Sequence, residues 1–335
     1  FLYLVTGSGD AILAGVFHNL IWLVALGFGA WRVALNLRWG HAAAILAACA
    51  LLASRGMLFY STHVETYLPA LACLTLLTAT WFKPKRSDLE ASAWLALAVL
   101  YHQTNVLLVL PLLWTSDRPR ADFLRVVLPA AGAVLGLYVA GWMFAAPDAG
   151  FLSWLFTYAS ADVPAWGQWS HFSVSGLSAL GLSQMRQIIP VPEAAGPLGA
   201  VVLLVLVLGL AAHHWRQSRH RRERRFALAY LAVYLPFFLW WIPSDPDFFL
   251  ATLLPLWMLV LMLIADLGSR WRSPWLAAPV ALLVLGNMWF TARPLSVDPG
   301  SAHRRALALE QVLAPGTAVV AGYGLEQELR YHTAV

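Results

Sequence analysis

The sequence predicts an all-α polytopic membrane protein, and three observations carry that prediction. Apolar segments recur along the 335 residues, hydrophobic side chains make up 60% of the chain and charged ones 12%, and the basic residues crowd into short stretches between the segments. Mean hydropathy is +0.67. There are 17 tryptophans, a residue enriched where helices leave a bilayer.

A helix needs about 20 apolar residues to cross the hydrocarbon. Segments of that character are read at 11–31, 42–54, 66–82, 91–114, 123–145, 198–214, 226–242, 248–267 and 275–292. Several are short, which neighbours or local thinning of the bilayer would accommodate. The segment 91–114 decides the topology. Its apolar run is interrupted by Tyr101, His102, Gln103, Thr104 and Asn105, and it has a basic loop on each side, with Lys83, Lys85 and Arg86 before it and Arg118, Arg120 and Arg125 after. As one span it would put one of those loops outside. As a re-entrant pair of half-helices it keeps both with the arginine-rich stretch 216–225, and 16 of the 22 basic residues then share the inner side. The expected architecture is about eight spanning helices plus one re-entrant helix pair.

Beyond the spans, 146–197 is expected to be an outer loop rich in aromatics, Trp154, Trp166 and Trp169 among them, with 151–160 a short helix in the interface. It would serve as an aromatic anchor, a lid or a sugar-stacking wall. Residues 1–292 form the membrane domain, and 293–335 read as the start of an outer α/β soluble domain: helix 301–313, a Pro315-Gly316 turn, a strand at 317–321 and a helix at 325–332. The chain is expected to be a fragment that lacks both ends.

The formal charge of +5 sits in short loops, where retention on the inner side accounts for it, so the partner expected is a lipid bilayer and not nucleic acid. Cys49 and Cys73 lie in apolar runs without zinc-ligand spacing. No phosphate-cradling glycine loop, His-Glu-x-x-His helix or nucleophile-elbow serine occurs.

Backbone that is not helical at membrane depth must be buried in protein or line a wet cavity, so 101–105 should face such a cavity from the outer side. His102 and Gln103 are its candidate ligands. On the same side, Arg55 and Glu65 flank a stretch that contains His63. They either neutralise one another, or Arg55 binds an anionic oxygen while Glu65 accepts a proton. Asp245 and Asp247 lie in a Pro-rich turn, as a solvated loop or as a carboxylate pair with the chemistry to hold a divalent cation. No resident cofactor is otherwise indicated. Asp10, at the outer end of the first segment, joins the candidate acids.

Three stretches carry a resemblance: 55–69, where an aromatic run leads into Val64-Glu65-Thr66-Tyr67; 95–111, a Leu/Ala helix ending at His102-Gln103 before a Leu-rich run to Pro111; and 241–256, which runs from Trp241-Ile-Pro-Ser-Asp245 to Leu254-Pro255-Leu256. In order and topology the chain resembles the GT-C membrane glycosyltransferases, in particular the protein O-mannosyltransferase-like bacterial proteins. The resemblance implies transfer of a sugar from a polyprenyl-phosphate carrier to a protein or glycan acceptor hydroxyl on the outer face of the bacterial inner membrane, with inversion. Glu65 and Arg55 would lie beside the site, and His102 with Gln103 at the re-entrant tip. Two features depart from the family pattern. Its main catalytic acid belongs to a first outer loop upstream of this chain, for which Asp10 is a substitute, and Asp245 and Asp247 stand where many relatives carry a basic phosphate ligand. A transporter, a lipid flippase and a non-catalytic envelope scaffold are the competing classes. A transporter needs polar groups open to both faces, and the one-sided placement here favours an enzyme.

Overall fold

The computed structural model describes residues 11–61, 66–148, 150–160, 172–215, 217, 219–271 and 278–292. The described elements are all helical. Apart from short helical turns at Pro119–Asp122, Phe123–Val127, Glu193–Ala195, Pro246–Leu250 and Met288–Ala292, they are α1 (Ala11–Asn36), α2 (His41–Leu52), α3 (Arg55–Tyr60), α4 (Tyr67–Trp81), α5 (Asp88–Tyr101), a 3-10 turn (Gln103–Leu108) leading into α6 (Val109–Trp114), α7 (Leu128–Ala145), α8 (Phe151–Ser160), α9 (Val174–Ile188), α10 (Gly196–Trp215), α11 (Arg221–Trp240), α12 (Leu253–Trp271) and α13 (Ala278–Asn287). The chain divides into units Phe1–Met288 and Trp289–Val335. The helices and strand expected between 301 and 332 lie outside the described residues.

Among the described residues, four stretches are long and apolar enough to cross a membrane: Phe17–Asn36, Pro119–Ala145, Gly196–Trp215 and Pro246–Asp266. The other apolar helices of the expected set are shorter or begin with charge. The segment read at 226–242, for example, starts five residues earlier, on the arginines of α11. The segment at 42–54 ends at Leu52, and Arg55 opens a separate short helix, α3.

α4 is the central element. It buries side chains all round, as expected of an apolar helix without a polar face. Its hydroxyls are satisfied locally, Thr75 and Thr78 donating to the carbonyls of Leu71 and Leu74. By contrast α7 and α10 expose Leu135, Leu137, Leu204 and Leu208, surface that belongs in hydrocarbon.

The reversal at His102 is the feature that positions the site. Polar residues halt α5, and His102 takes an extended conformation (φ −153°, ψ 111°) before the chain turns back through the 3-10 turn. Asn105 closes this break. Its amide donates to the Ala98 carbonyl at the end of α5 (2.9 Å) and its oxygen accepts from the Tyr234 hydroxyl (3.3 Å). The Ala98 carbonyl, which also accepts from the His102 N–H (3.0 Å), thus holds both sides of the break together.

At the other end of the hairpin the two basic loops meet. Arg86 is bonded to both carboxylate oxygens of Asp122, and Arg118 reaches Asp88 (3.0 Å) and Asp122 (3.1 Å). Asn36 donates to the Ala79 carbonyl (2.6 Å), and Arg222 donates to that of Thr115 (3.1 Å), so the loops after α1, α4, α6 and α10 gather at this one end.

α9 and α10 pack backbone to backbone. A Cβ added at Gly181 would lie 2.3 Å from the backbone of Ala200. Only glycine permits that approach.

Asp122 is fully buried and the Arg86 side chain is 8% exposed. Removing one member of such a pair leaves a charge without its partner. Arg86→Ala is expected to cost about 3 to 5 kcal/mol, read as a lower unfolding temperature in detergent, whereas Arg118→Ala, at a half-exposed side chain, costs less. Equal losses would refute the buried clamp.

Candidate functional site

Of the residues singled out in the sequence, Asp10, His63 and Glu65 lie outside the described residues. Arg55, His102, Gln103, Asp245 and Asp247 are described, and all five sit at the end of the bundle opposite the basic loops.

His102 and Asp247 line one cavity of about 10 Å³, with Tyr67, Thr104, Asn105 and Phe248. Imidazole Nδ1 lies 2.6 Å from the Thr104 hydroxyl, which leaves Nε2 for any further partner. The ring packs against Tyr67 (4.9 Å between centroids) and edge-on to Phe248 (5.5 Å). Phe248 stacks on both Phe238 (5.5 Å) and Trp241 (5.3 Å), so an aromatic sandwich holds the turn bearing Asp247 against the hairpin tip.

Asp245 caps the 3-10 turn Pro246–Leu250 by accepting from the Asp247 backbone N–H at 3.0 Å. Burial pushes the Asp245 carboxyl up from its ordinary range, and that one N–H bond offsets it only in part. The two aspartates are therefore half-buried and structured, which corrects the solvated-loop alternative.

Gln103 does not join His102. Its amide donates to the Tyr138 hydroxyl (3.1 Å), facing α7 where Trp154 of α8 also packs on Tyr138. Adjacent residues at an extended break point in different directions, so the pair expected at the tip serves two surfaces.

Among the described residues Arg55 meets Arg186; Glu65, the neighbour expected from the sequence, lies outside them. The Arg55 guanidinium donates to the Arg186 carbonyl (3.0 Å), and burial together with the Arg186 charge lowers its proton affinity. Arg186 ends α9, where a helix C-terminus favours a cation. Two guanidinium groups from residues 131 apart thus share one region. α9 also holds the Asp-bearing loop: Ser183 donates to the Pro243 carbonyl (2.9 Å) and Gln187 to that of Pro246 (2.6 Å). Arg186, Gln187 and α9 itself were missed by periodicity, because Ser, Gly and Gln are mixed among its leucines. The signal available was Arg186 itself, the single arginine or lysine in the stretch 146–197.

Among the described residues one group has metal-ligand spacing, His213, His214 and Asp266, whose ligand atoms lie within 4.8 Å of one another. It belongs to the opposite end. Arg224 already occupies it, bonded to both Asp266 oxygens (2.8 and 3.0 Å) and to His214 Nδ1, so a resident cation is in place there.

Neither the family models nor the curated proteins contain a match to the chain. Among solved structures the chain is similar to the crystal structure of ArnT from Cupriavidus metallidurans bound to undecaprenyl phosphate. The TM-score is 0.61 and the identity 15%, over 99% of this chain and 73% of that one. The helices thus share the fold of that structure.

Gly56 is where α3 meets α9. A Cβ there would stand 1.9 Å from Gln187 Oε1 and 2.8 Å from Leu250 Cδ1. Gly56→Ala is expected to lose roughly 1 to 3 kcal/mol by overpacking, measured as thermal stability in detergent. An unchanged midpoint would show that α9 is free to move off α3.

Proposed function

We propose that the protein is a membrane glycosyltransferase that moves a sugar from a polyprenyl-phosphate carrier to an acceptor hydroxyl on the extracytoplasmic face, inverting the anomeric carbon. The observation that carries this reading is the gathering of His102, Asp247, Arg55 and Arg186 at one end of a GT-C fold, away from the arginine-rich loops. The similar ArnT structure is bound to undecaprenyl phosphate, which supports a polyprenyl phosphate as the lipid partner.

In the proposed reaction the acceptor oxygen attacks the anomeric carbon while the bond from that carbon to the carrier phosphate breaks. The phosphate leaves with the bonding electron pair, and the acceptor proton passes to a carboxylate. Glu65 is the base assigned. It lies two residues before Tyr67, whose ring is 4.9 Å from His102. Asp10 is held as a second acid. Arg55 and Arg186 are suited to stabilise the departing phosphate, and a guanidinium with depressed proton affinity still carries its full charge near neutral pH. His102 and Asp247 orient sugar hydroxyls beside the base, His63 joins them from the α3–α4 connection, and Gln103 with Tyr138 and Trp154 offers an aromatic wall on the α7 side. Asp245 contributes by shaping the turn. The acceptor is a protein or a glycan.

Orientation follows from the basic loops, which stay cytoplasmic in an inner membrane. In a background without Cys49 and Cys73, Lys85→Cys is expected to label only from inside and Ser244→Cys only from outside. Labelling of both from one face would sink the outward-facing site. In the full-length protein, Glu65→Gln and His102→Ala should abolish sugar transfer, and Arg55→Ala should lower it by about 10²-fold or more, with folded protein retained in detergent. Wild-type turnover in Glu65→Gln and His102→Ala would exclude the assignment.

A further inference from the structure

At the end opposite His102, α6, α10 and α11 terminate around a cleft of about 540 Å³, lined by Trp114, Trp215, Asp117 and three arginines, Arg221, Arg222 and Arg225. Arg222 is engaged, donating to the Thr115 carbonyl and standing 3.6 Å from the Asp117 carboxylate. That carboxylate is 87% exposed, so it neutralises little. Arg221 and Arg225 are exposed and, among the described residues, have no anionic partner.

Their placement is unfavourable for the protein alone. Both lie in the opening turns of α11, where the partial positive charge of a helix N-terminus repels cations, and like charges four residues apart repel each other. Glu223 is the single acid of that first turn. A bound anion would turn both repulsions into attraction. Trp114 and Trp215, the last residues of α6 and α10, rim the cleft at 65% and 72% exposure. Indole rings at the ends of apolar helices mark the level of lipid headgroups.

We propose that this cleft binds the phosphodiester headgroup of an anionic phospholipid, with Arg221 and Arg225 on the phosphate and the two indoles against the glycerol. The volume falls within the range of small-molecule sites, and a basic pocket between helix ends at headgroup depth has the character of an anionic-lipid site. The inference does not rest on the transferase reading.

The test is native mass spectrometry of the intact protein after exchange into phosphatidylglycerol or phosphatidylcholine of matched chains. Phosphatidylglycerol adducts should survive where phosphatidylcholine adducts do not. R221Q/R225Q should reduce them by about tenfold or more, the scale of two arginines at a charged surface. R120Q/R125Q, at exposed arginines outside the cleft, should leave them unchanged, and millimolar inorganic phosphate should not displace them. Equal retention in wild type and R221Q/R225Q, equal loss in R120Q/R125Q, or displacement by inorganic phosphate would each overturn the proposal. Glutamine removes repulsion from the helix terminus, so folding is not at risk. R221K/R225K, which keeps the charge, should retain most of the adducts.

Discussion

A helix that breaks inside an apolar bundle must keep its backbone polar groups bonded, and the candidate site sits where backbone and one side chain together meet that constraint. The Asn105 amide donates to the Ala98 carbonyl, which also accepts from the His102 N–H, and the Asn105 oxygen accepts from the Tyr234 hydroxyl, so the turn at His102 is tied to both α5 and α11. Everything near the tip follows from this closure. The imidazole is presented on extended backbone, Thr104 fixes one of its edges, and Phe248 packs against the ring.

The protein places its strongest electrostatics away from that tip. Arg86, Asp88, Arg118 and Asp122 tie the base of the hairpin, and Arg224 links α11 to Asp266 of α12 within the same half of the bundle. Ion pairs of this kind bring little net stability when compared with apolar replacements, but they are exacting about partners and geometry. They hold the two halves of the hairpin in one arrangement, with His102 at the opposite end.

The helical class and the break at 101–105 were legible because both are written in local composition: apolar runs of membrane length, and five polar residues interrupting one of them. The short helix Phe151–Ser160 was legible for the same reason, as an aromatic run bounded by Gly150. The partner of Arg55 was not. The Arg186 carbonyl accepts from Arg55 and belongs to a helix whose polar face turns inward and so lacks the apolar periodicity of a buried element, while Glu65, the partner suggested by proximity along the chain, lies outside the described residues. The divergence of Gln103 from His102 was likewise illegible, since it depends on the backbone angles at the break. Asp245 and Asp247 read equally as solvated turn residues or as a carboxylate pair, and only the stacking of Phe248 between Phe238 and Trp241 shows why they are drawn inward.

The contact at Gly181 also bears on where Arg186 can lie. α9 has a serine and two glutamines among its buried residues and lacks the uninterrupted apolar surface of a span, so it cannot set its own level in the bilayer. α10 can, since its 20 residues match the hydrocarbon thickness. With the two backbones interlocked at Gly181, the immersion of α10 dictates how deep the Arg186 guanidinium is carried. A lipid matrix a few ångströms thicker or thinner would therefore raise or lower that cation relative to the phosphate plane without altering any bond inside the protein.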